Sequence, residues 1–259
     1  MKKRPFILIT GDDSVRAEGS ILVKRVVEGF ADFKIVATKE QQSAVGAMMN
    51  LRDGGEWGTE SVDGAETIWV DGTPVDAAYF AFDYFERKPD LVISGMNLGP
   101  NFSNGSMLIS GTVAASVIAA HSRNTPSIAF SIFAKPERWL AAHNGEFNED
   151  FLKYPGQQMR RILDKFFEAK MPKDTFWNVN FPEKETDKIK IVRVSDEAHF
   201  PNRMKIGKNK YGYIPAFGDH KVAKDTDVRE LYEGFITLSP CKLEFTNFDE
   251  LRAIEKLFS

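Results

Sequence analysis

The sequence contains little cysteine, little histidine and no long apolar run, and each shortage excludes a class of protein. Cys241 is the only cysteine among 259 residues, so the chain can form no internal disulfide and no zinc site built from several cysteines. The four histidines show no metal-ligand spacing. No apolar stretch reaches the roughly 20 residues that cross a bilayer, and the run at 6–9 is too short for the core of a signal peptide. We therefore predict a soluble cytoplasmic protein that does not associate with a membrane.

The chain also has little net charge. Lysine and arginine total 34, aspartate and glutamate total 37, and the formal net charge is −3. Such a chain has no overall attraction to polyanions, so we expect no nucleic-acid polymer as a partner. Hydrophobic residues make up 42% and charged residues 27% of the chain, as is usual for a folded globular protein.

Short apolar runs alternate with helical patterns over the first two-thirds of the chain. Runs that are apolar on both faces are typical of strands in a parallel sheet covered by helices, and here they lie at 6–9, 33–37, 68–70, 91–94 and 127–132. Helical patterns separate several of these runs. Strands alternating with helices predict a doubly wound, mostly parallel α/β sheet.

The order is weaker beyond residue 135. We predict a single domain over residues 1–259, with a core at about 1–195 and closing elements at 234–259. The polar and aromatic segment at about 199–230 is interpreted as an arm or lid. Residues 95–106, rich in glycine and asparagine, are expected to form a long loop.

Three polar groups follow predicted strands, where ligands bind in open α/β sheets. Asp12 and Asp13 follow the first strand, Ser43 lies after the second, and Asn97 follows the strand at 91–94. Adjacent carboxylates repel unless a positive charge lies between them. An all-oxygen set of this kind suits Mg²⁺, Mn²⁺ or Ca²⁺ better than zinc. The alternative is that the two aspartates only cap the helix that follows.

A second candidate site is the glycine-rich run at 94–101, which continues to Ser110, Gly111 and Thr112. A strand, a glycine loop and a hydroxyl-bearing helix start together favour anion binding, because exposed N–H groups and the helix dipole attract a phosphate. The run lacks the Gly-Lys-Ser/Thr ending of a Walker A loop. The alternative is a surface loop with a hydroxyl cap at Ser110 or Thr112.

Several motifs, in this order and spacing over nearly the whole chain, resemble those of the SurE survival-protein nucleotidases. They are Ile-Thr-Gly-Asp-Asp at 9–13, the serine loop around Ser43, Gly-Thr-Pro-Val-Asp at 72–76, the run at 89–101, Ser-Gly-Thr-Val-Ala-Ala at 110–115, Asn-Val-Asn-Phe-Pro at 178–182 and Asp-Thr-Asp at 225–227. The resemblance implies a metal-dependent phosphatase that hydrolyses nucleoside 5′- or 3′-monophosphates.

The resemblance also implies roles for individual residues. Carried over position by position, it implies a Mg²⁺ or Mn²⁺ site formed by Asp12, Asp13, Ser43 and Asn97. It also implies a phosphate site formed by Asn101, Ser110, Gly111 and Thr112. A cation held in this way lowers the pKa of a coordinated water, and we predict that Asp13 orients that water or acts as general base, with Asp12 as the alternative. The implied fold is Rossmann-like, with a C-terminal β-rich extension exchanged or packed between subunits of a homodimer or homotetramer.

The sequence departs from the family pattern in the first motif, which usually reads Thr-Asn-Asp-Asp-Gly. Here Gly11 precedes the acidic pair and Ser14 follows it. The side-chain amide missing at Gly11 removes a possible contact to the phosphate or an aspartate. Two alternatives therefore stay open: a metal- and nucleotide-binding protein that has lost turnover, and a generic phosphatase without nucleotide preference.

Overall fold

A computed structural model describes residues 4–134, 147–169, 174–196, 203–214 and 222–258. These residues form eleven strands, nine of which make one sheet. The strands are β1 Phe6–Thr10, β2 Asp32–Thr38, β3 Trp57–Val62, β4 Ala65–Val70, β5 Leu91–Leu98, β6 Ser127–Ile132, β7 Thr175–Phe181, β8 Ile189–Ile191, β9 Arg203–Ile206, β10 Tyr211–Ile214 and β11 Ile236–Lys242.

The large sheet has the strand order β3-β4-β2-β1-β5-β6-β7-β11-β8. The six strands from β4 to β7 in this order run parallel. β3 is antiparallel to β4, and β11 is antiparallel to β7. The chain builds outward from β1 on one side and from β5 on the other, which makes the sheet doubly wound. The predicted α/β fold class is therefore confirmed.

Helices cover both faces of this sheet. The helices are α1 Glu18–Val27, α2 Pro74–Tyr84, α3 Ser103–Ile109, α4 Gly111–Val117 with a wider turn through Ser122, α5 Gln157–Glu168, α6 Asp227–Tyr232 and α7 Phe248–Phe258. Ile7 and Ile9 of β1 pack in one core with α1 and α5. Leu8, between them, faces the core formed with α2. This alternation along β1 places apolar side chains on both faces, as a covered parallel strand requires.

The prediction of a long loop at 95–106 was wrong at both ends of the segment. β5 does not stop at Ser94, because its register with β6 shifts between Ser94 and Asn97 and the strand then continues to Leu98. Gly95 makes this possible, since its φ is +111° and an added Cβ would lie 2.3 Å from the carbonyl oxygen of Phe130. The helix α3 then begins at Ser103, whose backbone N–H donates to the distant Asp227 side chain at 2.8 Å. Local sequence patterns cannot predict a partner that is so far away in the chain.

The predicted arm contains two different structures. β9 and β10 form a separate antiparallel hairpin, whereas Val222 and α6 pack against Phe102 in a buried cluster of the main body. Residues 199–202 and 215–221 of the predicted arm lie outside the described residues. The last helix, α7, has no buried residue. Of the helices in the described ranges, none alone is long and apolar enough to span a membrane. The helix α3 and the helix formed by α4 with its turn through Ser122 are long and apolar enough only when taken together, and they are bent by 83° relative to each other.

Candidate active site

The two adjacent aspartates lie at the point where the strand order reverses. β1 pairs with β2 on one side and β5 on the other, and the ends of such strands form the binding crevice of doubly wound sheets. Asp12 and Asp13 follow β1 directly and are only 4% and 5% exposed. The Asp13 Oδ2 atom accepts a hydrogen bond from the backbone N–H of Leu98 at 3.1 Å. This bond fixes one carboxylate to the end of β5.

Asp12 is held by the start of α4. The Thr112 hydroxyl donates to Asp12 Oδ1, and Ser110 caps the helix by accepting the Val113 N–H on its Oγ at 3.1 Å. Gly111 permits the close approach, because a Cβ at this position would lie 2.9 Å from Asp12 Oδ2 and 2.7 Å from Pro74 Cγ. The role of Thr112 in phosphate binding stays a prediction, and the structure adds that its hydroxyl binds a carboxylate.

The electrostatics of the pair favour a cation. Burial, and next the charge of Asp13, raise the pKa of Asp12 to about 7, although hydrogen bonds from Thr112 act in the opposite direction. A divalent cation between the carboxylates would remove this repulsion. The described residues contain no group of three or more histidine, cysteine, aspartate and glutamate side chains that could hold a metal. A cation here would therefore be held by two carboxylates and neutral oxygens, a donor set that fits Mg²⁺ or Mn²⁺.

The two neutral ligands of the predicted set lie near the end of β5 and in the loop after β2. Asn97 donates through Nδ2 to the carbonyl oxygen of Gly99 at 2.7 Å, which leaves Oδ1 as its ligand atom. Ser43 is exposed and accepts a hydrogen bond from the Gln41 side chain. The backbone N–H of Gln42 donates to the Asp12 carbonyl oxygen at 2.7 Å, so the serine loop lies against the aspartates. The role of these residues as metal ligands stays a prediction.

The N-terminus of α2 holds the segment that follows Ser43, a contact not predicted from the sequence. Thr73 donates through Oγ1 to the Met48 carbonyl oxygen at 2.6 Å. The Asp76 carboxylate accepts the backbone N–H of Asn50 at 3.1 Å and that of Thr73 at 2.9 Å. Thr73 and Asp76 also form a capping box. The sequence contains the capping signature, but not its reach to a loop some 25 residues upstream.

The two departures from the family motif differ structurally. Ser14 has a φ of +84°, in the left-handed region where a residue with a side chain costs about 1–2 kcal/mol relative to glycine. Gly11 lacks a positive φ, and the nearest atom to an added Cβ is the Gly95 nitrogen at 3.4 Å. The backbone therefore favours glycine at position 14, where the chain has serine, and tolerates a side chain at position 11, where it has glycine.

Sequence comparison relates the chain to a known family. The sequence model of the family "Survival protein SurE" matches residues 7–201. The protein named 5'-nucleotidase SurE of Methanospirillum hungatei is 30% identical, and the match covers 99% of this chain and 93% of that protein. The protein of the same name from Methanothermobacter thermautotrophicus is 32% identical, with 86% and 88% covered.

A solved structure has the same fold. The crystal structure of the SurE protein from Aquifex aeolicus matches with a TM-score of 0.79 and 24% sequence identity, covering 98% of this chain and all of that one. The family sequence model covers three-quarters of the chain and includes all eight predicted site residues. The chain belongs to the SurE family.

Proposed function

We propose that this protein is a metal-dependent phosphomonoesterase that hydrolyses nucleoside 5′-monophosphates, or their 3′ isomers, to nucleoside and phosphate. The observation that carries the proposal is the buried pair Asp12 and Asp13, locked between β5 and the start of α4. Relatives that match this chain almost end to end are named 5'-nucleotidase SurE, which supports the same reaction class.

In this proposal Asp12, Asp13, Ser43 and Asn97 hold Mg²⁺ or Mn²⁺. When bound, the cation offsets the charge of the two carboxylates and polarises the phosphate ester and the attacking water. Asp13 orients that water or accepts its proton, since the Leu98 N–H fixes its carboxylate through Oδ2. Asp12 is kept in place by Thr112 and contributes charge.

The phosphate is held opposite the aspartates by the helix start Ser110–Thr112 and by Asn101. Backbone N–H groups at this end of α4 face developing negative charge on the equatorial phosphate oxygens, the arrangement that stabilises phosphoryl-transfer transition states. Asn101 adds a neutral amide. In this proposal the cation offsets part of the negative charge of the ester, and the helix start and the amide donate hydrogen bonds to it.

The exposed C-terminal helix supports a homodimer or homotetramer. Phe248 and Leu257 of α7 are 54% and 80% exposed, and with Leu251 and Ile254 they form an apolar stripe that spans about half of the helix circumference. We propose that this stripe packs on a second copy of the chain. Light scattering should give at least a dimer mass, and a monomer mass independent of concentration would contradict this. The cytoplasmic location stays a prediction from the sequence.

Phosphate release from a substrate panel tests the reaction class. The panel holds the common nucleoside 5′- and 3′-monophosphates, a sugar phosphate and p-nitrophenyl phosphate, each with Mg²⁺, Mn²⁺ or EDTA. We expect metal-dependent release and a kcat/KM at least about tenfold higher for a nucleotide. Equal values for all esters would indicate a generic phosphatase. Metal-dependent nucleotide binding without release would indicate a protein that has lost turnover, with Gly11 as the first residue to restore to asparagine.

A further inference from the structure

Two asparagines lie in the strand β7, most of whose other residues are apolar. Asn178 and Asn180 of β7 are fully buried, and because side chains alternate along a strand, both lie on the same face. Asn180 pairs across the sheet with Ser131 of β6, on one side, and with Thr237 of β11, on the other. A buried amide costs free energy unless it forms hydrogen bonds. Both asparagines use Asn101 as their partner.

Both the backbone N–H and the backbone carbonyl of Asn101 form hydrogen bonds with these asparagines. Its N–H donates to Asn180 Oδ1 at 2.7 Å. Its carbonyl oxygen accepts from Asn178 Nδ2 at 2.6 Å and from Asn180 Nδ2 at 3.2 Å. The Asn101 side chain donates through Nδ2 to Ser131 Oγ at 2.8 Å. None of these four bonds uses the side-chain oxygen of Asn101.

The same loop is tied to the metal-binding side of the site. Leu98, whose N–H holds Asp13, lies three residues before Asn101, and the N–H of Gly99 between them donates to the carbonyl oxygen of Ile132 at 2.9 Å. The segment from Leu98 to Asn101 is therefore fixed at Leu98 to a catalytic carboxylate, and at Gly99 and Asn101 to β6 and β7. The distance between Asp13 and Asn101 is set by the sheet.

We propose that Asn178 and Asn180 are positioning residues that fix Asn101 against the phosphate of the substrate. The proposal rests on the proposed function, in which Asn101 contacts that phosphate. Apolar residues would fill the same space in β7, but they would leave the Asn101 N–H and carbonyl without these partners. The two amides act through Asn101 and do not touch the substrate.

A double-mutant cycle tests this directly. The variants are Asn101→Ala, Asn180→Ala and the double variant, with Thr237→Val as matched control. Thr237 is the buried cross-strand neighbour of Asn180, and its Oγ1 has no hydrogen-bond partner among the described residues. We expect Asn180→Ala to lower kcat/KM at least about tenfold, and the double variant to lose no more than Asn101→Ala alone, because residues that act as one unit are not additive. Thr237→Val should stay within about twofold.

Binding of Mn²⁺ gives the second readout, and its affinity should be unchanged in all four variants. Should Asn180→Ala not fold, Asn178→Ala replaces it, since it removes one of the three bonds to the Asn101 main chain. Additive losses in kcat/KM, or an equal loss in Thr237→Val, would overturn the proposal. If the wild type releases no phosphate from any nucleotide, the proposed function fails. The same cycle is then measured on the Kd of inorganic phosphate with Mn²⁺ present, where additive losses or no binding overturn the proposal.

Discussion

At the scale of single residues, the site depends on two carboxylates that repel each other in a buried place. Asp12 and Asp13 are neighbours in the chain and almost inaccessible to solvent, so without a cation the protein lowers the repulsion by retaining a proton. Burial and the charge of Asp13 raise the pKa of Asp12 to about 7. A proton and a metal therefore compete for the same carboxylate.

This competition predicts a pH dependence of stability. Folded Asp12 binds its proton more tightly than the unfolded chain, whose carboxyl has a pKa of about 4; the metal-free protein therefore loses stability as pH rises from about 4 to about 7. Metal requires the deprotonated form. Mn²⁺ should consequently raise Tm more at about pH 8 than at about pH 5.5, relative to EDTA. The same rise at both pH values would contradict the assignment, and Asp12→Asn should abolish the difference.

Two glycines provide a matched test of close packing at the site. Gly111 has no room for a Cβ beside Asp12, whereas Gly105 in α3 has no neighbouring atom within 4 Å of that position. Gly111→Ala should displace Asp12 from Thr112 and lower both Mn²⁺ affinity and kcat at least about tenfold. Gly105→Ala should leave activity unchanged and raise the free energy of unfolding by about 0.5–1 kcal/mol, because alanine favours the helix. Equal activity of the two variants would exclude the tight contact at Gly111.

At the scale of elements, the structure joins segments that are far apart in the chain. Asp227, the first residue of α6, is fully buried, and its carboxylate accepts backbone N–H groups from Ser103 at 2.8 Å, Ser195 at 2.9 Å and Val228 at 2.8 Å. It thereby connects α3, the segment after β8 and α6. The raised pKa of Asp227 has burial as its largest cause, opposed by these hydrogen bonds.

Removing this connection should loosen all three elements. Asp227→Ala leaves three backbone N–H groups without their acceptor, and we expect a loss of about 3 kcal/mol in the free energy of unfolding, measured by urea denaturation. Asp196→Ala is the control, since the ion pair of that aspartate with Arg193, at 3.5 Å, is exposed, and the variant should change stability by less than about 1 kcal/mol. A similar small loss in both variants would show that Asp227 does not join the elements.

Sequence patterns located elements whose signals are local. Apolar runs predicted β1, β2, the end of β4, β5 and β6. The patterns failed where the deciding contact is distant in the chain, as at α3, which begins against Asp227. Nor does a local pattern show that the Thr112 hydroxyl reaches Asp12, 100 residues away. The hydrogen bonds of Asn178 and Asn180 to Asn101 were missed for the same reason.

At the scale of the whole molecule, the sheet brings these distant residues to one edge. β1 and β5 are neighbours at the reversal of the strand order, and β6 and β7 extend the same parallel array. The ends of β1 and β5 therefore meet there, and side chains of β6 and β7 hold the loop after β5. The Aquifex aeolicus protein shares this fold over its full length, but fold alone does not decide chemistry. The function rests on the acidic pair and its neighbours.

The most direct test is phosphate release from a nucleoside 5′-monophosphate by the wild type and by Asp13→Asn at saturating Mn²⁺. Asparagine keeps the shape of the side chain and the oxygen that accepts the Leu98 N–H, so far-UV circular dichroism and Tm should show a folded variant. The account predicts release by the wild type that EDTA abolishes, and a fall of at least about a hundredfold in Asp13→Asn. Undiminished release by a folded Asp13→Asn at saturating metal would contradict it.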